Sequence, residues 1–118
     1  MACAGAQEHT AAEPGAAEGR LIYERDCLSC HMADGRGVPG MSPTLLGSPW
    51  INGSPEALIG FVLTGGFGPD ILMGRFDFIP DVEMAALLTY LREAFAQPAA
   101  DTGPITPELV ARVRAQLP

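Results

Sequence analysis

Apolar residues recur with a helical period in four stretches of the chain. Between Glu18 and His31, Gly19, Tyr23 and Cys27 fall every four residues, with Leu21, Ile22 and Leu28 beside them. That spacing predicts a helix over 18–31. Ser54-Pro55-Glu56 supplies an N-cap, a proline at the first helical position and an early acid, so a second helix is expected from Pro55 to about Leu63. The Gly65-Gly66 pair should stop it. The longest stripe is Met84, Leu87, Leu88, Leu91 and Phe95 at i, i+3, i+4, i+7 and i+11, one continuous face. Asp81 and Glu83 stand at its positive end and Arg92 near its negative end, as the helix dipole favours. Thr106-Pro107-Glu108 opens a short last helix carrying Leu109, Val110, Val113 and Leu117.

The connecting text is punctuated by glycine and proline. Ala33 to Asn52 contains Gly35, Gly37, Pro39, Gly40, Pro43, Gly47 and Pro49 and reads as loop. A second loop spans Thr64 to Pro80, and a Pro/Gly linker spans Gln97 to Pro104. Residues 1–16 are small and polar without apolar periodicity. They bury too little surface to offset the entropy of ordering, and read as a flexible leader. A signal peptide is not visible in them, and any such segment is taken as already removed. No strand pattern or internal repeat competes. The expected fold class is all-α, arranged as a leader (1–16), a main domain (17–97) and a C-terminal extension with a short helix (98–118).

Composition narrows this further. The chain has 118 residues, 47% of them hydrophobic, enough for one small core. No apolar run approaches the roughly 20 residues of a membrane-spanning helix. Seven basic against 14 acidic residues give a formal charge of −7, and every basic residue is an arginine. Nucleic-acid affinity comes largely from cationic side chains displacing counterions, so nucleic acid is not an expected partner.

One motif carries chemistry. Cys27-Leu28-Ser29-Cys30-His31 is C-x-x-C-H, the attachment signature of c-type haem. Positions i, i+3 and i+4 share a helix face, so two thiols can bond the porphyrin vinyl groups while the imidazole reaches iron. Cys27 and Cys30 are thus expected to form thioethers, with His31 the proximal iron ligand. Other readings fit less well. A thioredoxin-like pair wants a βαβ context. A zinc site wants four ligands, and beyond the motif only Cys3 and His9 remain, both in the leader. A Cys27–Cys30 disulfide would close a small strained loop and leave His31 unexplained. One covalently bound haem c with its iron also supplies apolar bulk for the long loops to pack against.

From Glu18 to Ala96 the chain resembles the monohaem class I cytochromes c. Gly19-x-x-x-Tyr23-x-x-x-Cys27 is similar to that family's N-terminal helix, in which glycine permits a close crossing. Leu87 to Ala94 is similar to its C-terminal helix, with Tyr90 as the aromatic wedged at the crossing. Ser42-Pro43-Thr44-Leu45 resembles the loop whose proline carbonyl accepts from the proximal histidine, which implies that Pro43 orients His31. The resemblance also implies a methionine sulfur on the far side of the iron, from the loop before the last family helix. Met73 stands in that loop. Met32 abuts His31, Met41 precedes Pro43, and Met84 falls in the apolar stripe. Relatives often carry Met-Pro where this chain has Met73-Gly74, which leaves the loop less rigid. Trp50 is expected either to point its N–H at a haem propionate or to pack in the core. Arg36 and Arg75 are candidates for a propionate, with a solvated surface role the plainer reading.

The expected function is one-electron transfer through a His/Met-ligated haem, without bond chemistry of its own. Expected donors are a quinol-oxidising complex or a dehydrogenase, and the expected acceptor is a terminal oxidase or reductase. The expected location is the periplasm or the outer face of the cytoplasmic membrane, as a monomer. Cys3, preceded by Ala2 as in a lipobox, is a candidate lipid anchor and the one expected link to a membrane. The alternatives are a haem sensor or peroxidase with a labile sixth ligand, and the cytochrome subunit of a periplasmic dehydrogenase. Docking of a chain without lysine should rest on the apolar haem edge or on basic patches of the partner. Turnover with a redox partner should therefore depend weakly on added salt, and a steep loss would contradict this mode of docking.

Overall fold

The computed structural model describes residues 15–66, 73–97 and 104–117. Among them six helices follow one another: α1 (Ala16–Asp26), α2 (Leu28–His31), α3 (Pro49–Asn52), α4 (Pro55–Thr64), α5 (Asp81–Phe95) and α6 (Pro107–Gln116). Among the described residues the only β feature is an isolated antiparallel bridge between Val38 and Ser42. The all-α expectation is met.

The core forms where α1 lies against α5. Gly19 makes this possible: a β-carbon there would overlap the Ala86 carbonyl and come within 2.8 Å of Tyr90 Cβ. Any larger residue would push the helices apart. On the same face of α1, Ile22 and Tyr23 are buried, and α5 answers with Met84 to Leu88 at 0–2% exposure. Each large apolar side chain so enclosed contributes on the order of 1.5–3 kcal/mol of burial. The Tyr23 ring lies 5.5 Å from that of Tyr90 and 5.8 Å from that of Phe95. Met84 is fully buried, as its place in the stripe requires.

The helix ends follow from their capping residues. Ser54 Oγ accepts from Ala57 N at 3.2 Å to start α4, and Gly65 in the left-handed region closes it. Thr106 Oγ1 accepts from Leu109 N at 3.1 Å to start α6, which buries Val110 and Val113 as it packs across α4 and α5. The C-terminal extension thus covers apolar surface. On the outside, Arg20 pairs with Glu24 at 3.1 Å and Arg25 with Asp26 at 2.7 Å. Such exposed pairs add little stability.

Two expectations need correction. The helix predicted over 18–31 is divided, because Cys27 leaves helical geometry at φ −122° and the path tightens into the single turn of α2. The stretch read as loop to Asn52 contains α3. Ser48 Oγ accepts from Trp50 N at 3.2 Å and Pro49 takes the first position, the same Ser-Pro start that marked α4. The flanking Gly47 and Gly53 masked it. No helix among the described residues is long and apolar enough to cross a membrane.

Replacing Gly19 with alanine should separate α1 from α5 at a cost of about 1–3 kcal/mol. A thermal melt of the haem-loaded protein should show a fall of roughly 5–15 °C. An unchanged melting temperature would mean the crossing is not tight.

Candidate cofactor site

Cys27, Cys30 and His31 are brought onto one turn. Cys30 N and His31 N both donate to the Cys27 carbonyl, at 3.2 and 3.0 Å. Neither cysteine is in a disulfide: Cys27 is half-buried and Cys30 exposed. Burial first, then the Asp26 charge, pushes the Cys27 thiol up to about 12.

The His31 ring is oriented by the neighbouring loop. Its Nδ1–H donates to the Pro43 carbonyl at 3.2 Å, which leaves Nε2 with its lone pair. Burial lowers the pKa of the ring below its ordinary value, against an opposing effect of the Pro43 bond. The imidazole is therefore neutral at neutral pH, the form a metal binds.

Pro43 is delivered by a loop that closes back on the turn. Ser42 Oγ donates to the Cys30 carbonyl at 2.5 Å, and Gly37 N to the His31 carbonyl at 3.0 Å. Val38 N donates to the Ser42 carbonyl at 3.0 Å, and Leu45 N to the Gly35 carbonyl at 2.6 Å. Gly37, at φ +71°, lets the loop pass: a β-carbon there would overlap the Ser42 carbonyl and lie 2.6 Å from that of Pro43. Met32, directly after the histidine, is held at φ +67°. With ψ at 165°, that is a region taken essentially by glycine, and costs a side-chain-bearing residue roughly 1–3 kcal/mol. Tyr23 Oη donates to the Met32 carbonyl at 2.5 Å and holds the conformation in place. Burial, followed by Cys27, Tyr90 and Asp34, raises the Tyr23 pKa well above its ordinary value, so the phenol keeps its proton.

Met73 stands on a separate segment. It is half-buried and packs on the core, with its carbonyl against Gly65 at the end of α4. Ile71 and Leu72 lie outside the described residues, as do Cys3 and His9. The Trp50 ring packs on Phe61 with centroids 4.5 Å apart. Arg36 and Arg75 sit beside Asp34 and Asp77 at 3.6 and 3.2 Å, with 72% and 66% of their side chains exposed. Those positions favour the surface role.

The residues fit a haem on two counts. The donor set is two unpaired thiols and a neutral, oriented imidazole. Leu28, Leu45, Leu46, Trp50, Met73 and Phe76 pack on the core yet stay only partly buried, which leaves apolar surface for a large flat group. Among the described residues no three His, Cys, Asp or Glu side chains converge as a bare metal ion would need. Sequence reasoning found Pro43 but not its supports. Gly37, the Ser42 hydroxyl and the Tyr23 hydroxyl act through contacts that the pattern of a single chain does not advertise.

Residues 14–91 match the family described as cytochrome C oxidase, cbb3-type, subunit III. The chain is 32% identical over 114 residues to cytochrome c-552 of Thermus thermophilus, covering 85% of this chain and 86% of that protein. It is also 32% identical over 93 residues to the cytochrome c subunit of alcohol dehydrogenase (quinone) from Gluconobacter oxydans (strain 621H). That match covers 71% of this chain but spans only 20% of the length of the dehydrogenase subunit.

Alanine at Gly37 should cost about 2 kcal/mol or more, from the left-handed backbone and the displaced Pro43 carbonyl together. Gly40, at φ +81° with open space around its α-carbon, gives the backbone contribution alone. Denaturant titrations should therefore place Gly37→Ala below Gly40→Ala, and equal midpoints would remove Pro43 from the account.

Proposed function

The chain belongs to the class I c-type cytochromes, electron-transfer proteins with covalently bound haem c, and we propose that it is a carrier whose iron is held by His31 and Met73. The observation that carries this is the one-turn placement of Cys27, Cys30 and His31 with the His31 Nδ1–H on the Pro43 carbonyl. The bound haem supplies an iron that accepts and returns one electron.

The chain's own residues set the conditions. Cys27 and Cys30 hold the group through thioethers, so it is not lost when the iron changes charge. Pro43 fixes the His31 tautomer and raises the basicity of Nε2, which favours the oxidised state. Met73 offers a soft, neutral sulfur, which favours the reduced state and raises the potential. The surrounding apolar side chains exclude water and penalise the more charged, oxidised form. The balance is a positive potential set by ligands and burial.

In this reading the electron comes from a quinol-oxidising complex or a dehydrogenase and goes to a terminal oxidase or reductase. The protein works outside the cytoplasm, since haem is attached to C-x-x-C-H across the bacterial membrane. It acts as a monomer, with residues 1–16 a leader that Cys3 tethers to the membrane when lipidated. Residues 17–97 form the cytochrome domain and 98–118 the extension. The similarity to a dehydrogenase's cytochrome subunit supports a second reading, a permanently associated subunit with the same electron chemistry. Size exclusion alongside candidate dehydrogenases separates the two.

The sensor or peroxidase alternative turns on whether Met73 stays bound, and Met73-Gly74 is the departure that keeps it in view. The purified protein should give low-spin c-type spectra in both oxidation states and ignore carbon monoxide when reduced. Met73→Ala should abolish the oxidised form's methionine-to-iron charge-transfer band, lower the potential and admit carbon monoxide. A high-spin spectrum or rapid carbon monoxide uptake by the unaltered protein would transfer the assignment to a sensor or peroxidase.

A further inference from the structure

Arg114 lies in the last turn of α6, far along the chain from the site. Its guanidinium reaches back to the segment that follows Met73. Nη1 donates to the Asp77 carbonyl at 2.7 Å, Nη2 to the Ile79 carbonyl at 2.6 Å, and Nε to Asp81 Oδ1 at 2.9 Å. Three nitrogens of one planar group thus gather two backbone carbonyls and a carboxylate from a stretch of five residues. The fork geometry of arginine suits this, and the single nitrogen of lysine does not.

The clamp fastens the backbone of a segment that is also held at its near end and through the buried Ile79 side chain. At the near end the Met73 and Gly74 carbonyls lie against Gly65, and Phe76 N donates to the Val62 carbonyl at 3.2 Å. Gly74 has open space around its α-carbon and adds backbone freedom beside Met73. Toward α5 the backbone carbonyls of Asp77 and Ile79 are gathered by Arg114, carried on a helix that is itself packed on the core. Val110 is fully buried, Val113 is 8% exposed and Ile105 6%. With the guanidinium gone, two carbonyls lose their partners and the loop gains conformations in which Met73 is displaced.

We propose that Arg114 is a positioning residue for Met73, through which the C-terminal extension keeps the sixth ligand on the iron. This rests on the reading of Met73 as that ligand. The extension's last turn is thus a fastening for the ligand loop, and the freedom introduced by Gly74 is offset from a helix outside the main domain.

The test compares Arg114→Ala, Arg114→Lys and Val110→Ala as haem-loaded proteins, well below their melting temperatures. Val110→Ala weakens the packing of α6 while leaving the Arg114 side chain and its three acceptors in place. The readouts are the rate of carbon monoxide uptake by the reduced protein and the intensity of the methionine-to-iron band in the oxidised one. Arg114→Ala should take up carbon monoxide about tenfold faster or more and show a weakened band. Arg114→Lys should fall between it and the unaltered protein, and serves alone if the alanine variant does not fold. Val110→Ala should lose thermal stability and change both readouts less than Arg114→Ala does. Uptake by the Arg114 variants no faster than by Val110→Ala would overturn the clamp and leave α6 a plain cover. Met73→Ala, run beside them, identifies the other failure: if it keeps the band, the ligand assignment falls and the clamp with it.

Discussion

The contact between α1 and α5 at Gly19 decides where everything else stands. It brings the α1 backbone against the Ala86 carbonyl, and one helical turn later it seats the Tyr23 ring against both Tyr90 and Phe95. One turn further comes Cys27. One line along α1 therefore runs from a glycine that must be small, through a buried phenol, to the Cys27 thiol at its C-cap. A shift at the first would be transmitted to the last, because a helix is stiff over so short a length.

The opposite wall of the site is built from loop rather than helix, and its rigidity comes from hydrogen bonds. Ser42 and Gly37 tie the loop to the carbonyls of Cys30 and His31, while Tyr23 secures Met32 in a conformation its side chain disfavours. The imidazole is then oriented twice over, by its own turn and by the Pro43 carbonyl. An imidazole so constrained would not need to reorganise in the proposed role of iron ligand, which would suit rapid transfer of a single electron.

The parts of this design that were legible in the sequence are those with local or periodic signatures. The Met84-to-Phe95 stripe, the Ser54 and Thr106 caps and the Cys27-to-His31 spacing each announce themselves within a turn or a few. The pattern of Ser42-Pro43 led to the partner of His31 through family resemblance. What could not be read was non-local or a matter of one dihedral angle. Nothing near Arg114 distinguishes it from a surface arginine, since its acceptors lie 33–37 residues earlier. The departure of Cys27 from helical geometry and the positive φ of Met32 leave no periodic trace. The helix at Pro49 carried the same Ser-Pro signal as the next one, but its glycine flanks outweighed it.

The arginine pairings carry a consequence for how the molecule meets others of its kind. Arg20, Arg25, Arg36, Arg75 and Arg114 each sit beside a carboxylate, so these cations are neutralised within a few ångströms. The excess acids behind the charge of −7 are left to set the field felt at a distance. Two copies approaching each other meet mutual repulsion, which lowers their encounter rate at low ionic strength. Exchange of electrons between identical molecules is thereby discouraged.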